Sequence, residues 1–196
     1  LTGSYFVGAS VATRLGTDIV AAHQIGLQVW VFASFFVDGI AVTATSLGGR
    51  FLGEQRPDKW KALGNRLLLL GLLTGSAFSL LFFFAARPLQ MLFTNDPSLT
   101  TIIDQYWWLI VVSSPFNALV FVYDGILFGS RDYKFLRNSV AGALVLAFLP
   151  VLATGYFTTL SITTIWLALV ARNGFRLVTA VWFFKYRAEG RFVPGR

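Results

Sequence analysis

The sequence predicts an all-α integral membrane protein, a bundle of six transmembrane helices. Three observations carry that expectation. The 196 residues are 56% hydrophobic and only 13% charged, with a mean hydropathy of +0.67, whereas a soluble domain carries about 25% charged residues. The apolar residues gather in runs of about 20 or more, enough at ~1.5 Å per residue to cross ~30 Å of hydrocarbon. Basic residues cluster in alternate loops, which is a topological pattern rather than a surface one.

Composition also excludes chemistry. Without Cys there are no disulfides, thiolate metal sites or thiol nucleophiles, and the lone His23 cannot build a histidine cluster. No metal site, catalytic residue or organic cofactor is therefore expected, and an enzyme has little to work with. The net charge of +7 does not indicate nucleic acid, because no soluble stretch is long enough to form a basic face.

Taken in order, residues 1–16 are apolar but cover only ~24 Å. They read as the tail of a helix that begins upstream, with no basic n-region of a signal peptide. Thr17 and Asp18 supply a cap for the second span, residues 19–49. Gly48, Gly49, Gly53 and Pro57 mark a loop among Arg50, Arg56, Lys59, Lys61 and Arg66. The third span is 63–86, rich in Leu and Phe and closed by Arg87 and Pro88. Asn95 to Ser98 form a turn and an N-cap for the fourth span, 99–128, in which Pro115 predicts a kink near Asn117. Arg131, Lys134 and Arg137 follow it. The fifth span, 135–155, contains Pro150; an uncharged loop from Thr154 to Ser161 leads to the sixth, 162–184, and a basic tail, 185–196. The opposite loops hold Arg14 and Arg87 beside Asp18 and Asp96, so the basic loops and the C-terminus are expected to be cytoplasmic.

Polar residues inside the spans carry the functional expectation. Asp38 lies twelve residues before Arg50, roughly 18 Å deep at ~1.5 Å per residue. A carboxylate there costs about 2.5–3.5 kcal/mol, so it needs a partner or a water-filled cavity. Gln24, Ser34 and Thr45 share its helical stripe, with Gln28 at the edge, which suggests a pathway facing the bundle interior. Tyr106, Ser113, Asn117 and Asp124 are spaced to share a face of the fourth span, and Arg172 and Arg176 form an i, i+4 pair on the sixth with Asn173 adjacent. The two aspartates and two arginines are expected to pair, since an unpaired charge is costly there. A network that only fixes helix register is the plainer alternative for Asp124. His23 is expected to be an interfacial hydrogen-bonded residue, and Trp107 with Trp108 part of an aromatic belt. FFVDGI (Phe35 to Ile40) recurs as FVYDGI (Phe121 to Ile126), four identities in six at an offset of 86.

The run AAHQIGLQVW followed by Phe35 to Glu54 resembles the eighth helix of the MATE multidrug and toxin extrusion family. FVYDGILFGSRDYKFLRNS (Phe121 to Ser139) is similar to the end of its tenth helix in the DinF-like branch. The resemblance covers essentially the whole sequence as helices seven to twelve, the C-terminal of two six-helix lobes. Residues 1–196 would then be half of a twelve-helix transporter with the N-terminal lobe missing and the first helix truncated. It implies an antiporter in the cell (inner) membrane that exports cationic amphipathic or other toxic small molecules against protons or sodium, by alternating access. Asp38 and Asp124 match the branch's Asp-Gly positions. Asn117 stands where the sodium-coupled pattern has an acid, which argues against a sodium site in this lobe. An organic-acid exporter or a lipid-linked-substrate flippase is the alternative, favoured if Arg172 and Arg176 are unpaired.

Overall fold

A computed structural model describes residues 2–157 and 160–186. Five of its helices are long and apolar enough to cross a membrane: Thr17–Gly53, Pro57–Phe84, Pro97–Gly129, Tyr133–Gly155 and Ile162–Tyr186. They are preceded by a shorter helix, α1 (Thr2–Leu15). The expected all-α membrane bundle is thus the fold. Exposed Leu and Phe on the outer surfaces, such as Leu69, Leu73, Leu80 and Phe83, suit hydrocarbon surroundings.

Each boundary has a local cause. Gly16, at φ 135, joins α1 to α2 (Thr17–Gly53). It takes the N-cap position expected of Thr17 and Asp18, which instead lie in the first turn; no side chain caps this end. Nor do Gly48 and Gly49 break the chain as expected. Helix α2 continues through them because they serve close packing: a methyl group on Gly49 would lie 3.1 Å from the Gly129 carbonyl oxygen. The turn falls at Glu54 to Arg56, and Pro57 opens α3 (Pro57–Phe84) at a position where its missing N–H costs nothing.

A short helix, α4 (Ala86–Met91), precedes α5 (Pro97–Gly129). Asp96 caps α5, accepting from the Ser98 N–H at 2.8 Å, and the hydrogen bonds from Ser98 hold its carboxyl below the usual carboxylate range. Pro115 leaves the Val111 carbonyl without its helical donor, and Ser79 of α3 supplies one at 2.8 Å. The fifth span is composite: α6 (Tyr133–Gly142), a π-helical stretch (Ala143–Phe148) and α7 (Leu149–Phe157). The wider turns sit immediately before Pro150, whose absent N–H already breaks the regular ladder. Helix α8 (Ile162–Tyr186) closes the described chain. Of the basic tail, residues 187–196 lie outside the described residues.

Helix α5 is the hub, packed against α2, α3 and α8. Its apolar stretch is 61% buried, against 39% or less in the other spans, as expected of a helix that is hydrophobic all round. Its seam with α2 is close enough to need glycine. A Cβ on Gly125 would collide with the Ala41 carbonyl oxygen, and Thr45 Oγ1 donates across the seam to the Gly125 carbonyl at 3.0 Å. Two apolar clusters result. One includes Phe82, Ile103, Tyr106, Ile110, Ile165 and Trp166; the other includes Val37, Ala44, Trp60, Val122, Ile126 and Ala180.

Candidate functional site

Polar side chains from α1, α5 and α8 form a layer between these clusters. Arg172 and Arg176, one turn apart on α8, are both buried. Arg176 donates to Asp124 Oδ2 in a closed ion pair. Arg172 donates to Ser4 Oγ at 2.9 Å, Tyr5 Oη at 3.3 Å and Asn173 Oδ1 at 3.0 and 3.2 Å. Its guanidinium also lies 4.9 Å from the Tyr5 ring centroid, a cation–π contact. The chain of bonds continues from Asn173 Nδ2 to Asn117 Oδ1 at 2.8 Å, and from Asn117 Nδ2 to Ser113 Oγ at 3.2 Å. On either side of Asn117 is a void of about 20 Å³ (reaching Ser34 and Trp30) and about 10 Å³ (reaching Arg172 and Tyr5). Each is the size of about one water molecule.

The expected pairing of two aspartates with two arginines therefore closes only once. Asp124 takes Arg176; Asp38 takes neither, and among the described residues it has no ion pair or hydrogen bond. It is exposed on α2, as are Gln24 and Gln28. The stripe predicted to face the interior is split along its length. Ser34 and Thr45, on its α5 side, are half-buried and bond to carbonyls of their own helix, Ser34 to Trp30 at 3.0 Å and Thr45 to Ala41 at 3.0 Å. Gln24, Gln28 and Asp38 look outward because α2 uses its other side to pack on α5.

The outward face is shaped. Gln28, Phe32 and Phe35 of α2, Leu81 of α3, Leu89 of α4 and Phe93 line a cavity of about 360 Å³. It is apolar apart from the Gln28 amide, and of a size that suits a small ligand. Asp38 follows Phe35 by one helical turn, ~4.5 Å along the axis. An unpaired carboxylate beside an aromatic cavity offers an electrostatic contact to a positively charged amphipath.

Other expectations are corrected. His23 is not interfacial and hydrogen-bonded: it is fully buried, with neither ring nitrogen hydrogen-bonded among the described residues, edge-on to Trp166 with ring centroids 5.7 Å apart. The tight packing of α1, α2 and α8 around Gly8 and Ile165 encloses it. Of the tryptophan pair, only Trp108 is exposed; Trp107 is buried and donates from Nε1 to the Phe82 carbonyl at 2.9 Å. Sequence reasoning also missed Ser4 and Tyr5 as partners of Arg172. It missed a cluster at the opposite end, too, where Arg87 meets Asp104 at 2.9 Å and Gln90 donates to Asp104 at 3.0 Å. No local spacing connects such residues. Among the described residues, no group of three or more His, Cys, Asp or Glu is placed to hold a metal ion.

A bundle of long apolar helices with a hydrogen-bonded charged layer inside has the form of an integral membrane domain. The MatE family model matches residues 1–151, and the chain belongs to that family. It is similar to Protein DETOXIFICATION 43 of Arabidopsis thaliana, 30% identical over 89% of this chain and 33% of that protein. DNA damage-inducible protein F of Escherichia coli K12 is 26% identical over 88% of this chain and 37% of its own length. Multidrug and toxin extrusion protein 1 of Homo sapiens is 26% identical over 92% and 32%. The chain spans about a third of the length of these relatives.

Proposed function

We propose that this chain is the C-terminal lobe of a secondary antiporter that exports organic cations and related amphipathic compounds in exchange for protons, by alternating access. The observation that carries this reading is the position of Asp38. It is exposed, unpaired among the described residues, and one turn from the aromatic cavity at Gln28, Phe32 and Phe35. A lone carboxylate does not persist against hydrocarbon, so its face borders water or another lobe. There it exchanges two ligands of the same charge. Deprotonated, the carboxylate holds a cation whose apolar body lies in the cavity; protonated on one oxygen, it is neutral and releases that cation. Asp124, already neutralised by Arg176, is a register-fixing residue in this scheme. The basic residues at the α2–α3 and α5–α6 turns support a cytoplasmic position for that end, in a cell (inner) membrane.

A second reading has its own observation. Arg172 keeps a buried positive charge whose hydrogen bonds run to the neutral Ser4, Tyr5 and Asn173 side chains. That favours an organic acid or lipid-linked anion as cargo.

The test uses the full-length protein in everted vesicles with a fluorescent lipophilic cation and an imposed pH gradient. Gradient-driven uptake in wild type that Asp38→Asn abolishes, with protein level and melting unchanged, is the expected result. Uptake that survives the substitution removes Asp38 from the exchange. No cation uptake under either a proton or a sodium gradient overturns the cation reading and favours the anionic one.

A further inference from the structure

The basic end of the bundle holds a second concave site, away from the Asp38 face and the charged layer. Thr45, Gly49 and Leu52 of α2, Phe128 of α5, Arg131 and Tyr133 line a crevice of about 450 Å³. Its floor is the contact between Gly49 and the Gly129 carbonyl. At its mouth the exposed rings of Phe128 and Tyr133 lie 6.1 Å apart, the kind of aromatic pair that suits the depth of lipid headgroups.

Arg131 supplies the charge, and its backbone is unusual. The end of α5 closes with the Asp132 N–H donating to the Leu127 carbonyl and the Arg131 N–H to that of Phe128, both at 3.0 Å. This arrangement puts Arg131 in the left-handed region, at φ 57, a position that glycine fills at less cost. An arginine there gives up backbone stability to set its side chain at the crevice. Among the described residues its guanidinium has no ion pair or hydrogen bond. Asp132, next in the chain, is buried and accepts from Ser130 Oγ at 3.3 Å. Glu54, which follows the crevice residue Gly53, is bonded to Arg50 at 2.7 Å.

We infer that this crevice binds the phosphate of an anionic phospholipid headgroup, held by Arg131 with the glycerol backbone against Phe128 and Tyr133. The chemistry is that of a basic pocket between transmembrane helices at the membrane surface, where the exposed Lys134 and Arg137 of α6 add to the attraction. An arginine suits phosphate through its paired donors. The inference rests on the bundle spanning a bilayer and is independent of what is transported.

The test uses delipidated full-length protein titrated with short-chain phosphatidylglycerol, phosphatidylcholine or glycerol 3-phosphate, with bound adducts counted by native mass spectrometry. Saturable phosphatidylglycerol binding, at least about tenfold tighter than either comparator, is expected. Arg131→Gly should weaken it about tenfold or more while the melting temperature holds or rises, because glycine suits the turn. Arg131→Lys should retain most of the binding. Undiminished binding by Arg131→Gly overturns the proposal. So does equal affinity for phosphatidylcholine, and equal affinity for glycerol 3-phosphate would assign the crevice to a soluble phosphate instead of a lipid.

Discussion

The two Asp-Gly pairs, Asp38-Gly39 on α2 and Asp124-Gly125 on α5, come from nearly the same hexapeptide and end in opposite surroundings. Asp124 is half-buried and closed onto Arg176, and Gly125 is pressed against the Ala41 carbonyl. Among the described residues, Asp38 is exposed and unpaired, and nothing lies within 4 Å of where a Cβ on Gly39 would be. The difference arises from the position of each helix rather than from the motif. The hub helix α5 is surrounded, so its acid must be neutralised and its glycine must admit a neighbour. Helix α2 has one face that no other described helix covers, and its acid lies there.

The largest effect should come from breaking the closed pair. Asp124→Asn, leaving Arg176 in place, should cost about 3–5 kcal/mol because a buried cation loses its counter-charge. Thermal unfolding of the full-length protein in detergent would measure it. Wild-type melting would show that the pair contributes nothing.

The glycines should then separate in sign. Gly125→Ala forces a methyl group into a backbone carbonyl, so a loss of about 1–3 kcal/mol is expected. Gly39→Ala meets no atom and should be neutral or stabilising by up to about 1 kcal/mol, the helix-propensity difference. Equal melting shifts for the two variants would remove the packing distinction between α2 and α5.

The smallest effect lies outside the bundle. Asp96 is held below the usual carboxylate range by Ser98, so its contribution to stability is present above the unfolded-state carboxylate pKa of about 3.9 and is lost as pH falls through the lower folded value. Asp96→Asn should flatten that part of the acid limb of an unfolding curve and leave neutral-pH stability nearly unchanged. An identical acid limb in both proteins would show that the cap is not coupled to ionisation.

Much of the fold was legible because a bilayer dictates span length and apolar content, and both are local properties of the chain. The spans around Leu67, Ile110 and Leu169 were clear for that reason. Glycine was ambiguous: Gly48 and Gly49 carry the same composition signal as a turn, yet both lie within α2, where Gly49 serves the α2–α5 contact and Gly48 faces Trp60 of α3. Helical periodicity placed Asp38 on a stripe with Ser34 and Thr45 but could not say which side of that stripe a neighbour would cover. The Asp124–Arg176 half of the charged layer followed from the cost of lone charges. The Arg172 half did not, because Ser4 and Tyr5 lie at the far end of the chain and give no spacing signal. His23 was misplaced for a related reason: a polar residue near a helix end reads as interfacial until the helices around it are known.

The most direct test of the contrast between the two aspartates is pH-difference infrared spectroscopy on the full-length protein, comparing wild type, Asp38→Asn and Asp124→Asn. The carboxylic acid carbonyl absorption that rises on acidification should lose one component in Asp38→Asn and keep it in Asp124→Asn, as expected of one acid unpaired among the described residues and one held by arginine. Loss of that component in Asp124→Asn, with Asp38→Asn unchanged, would contradict the account.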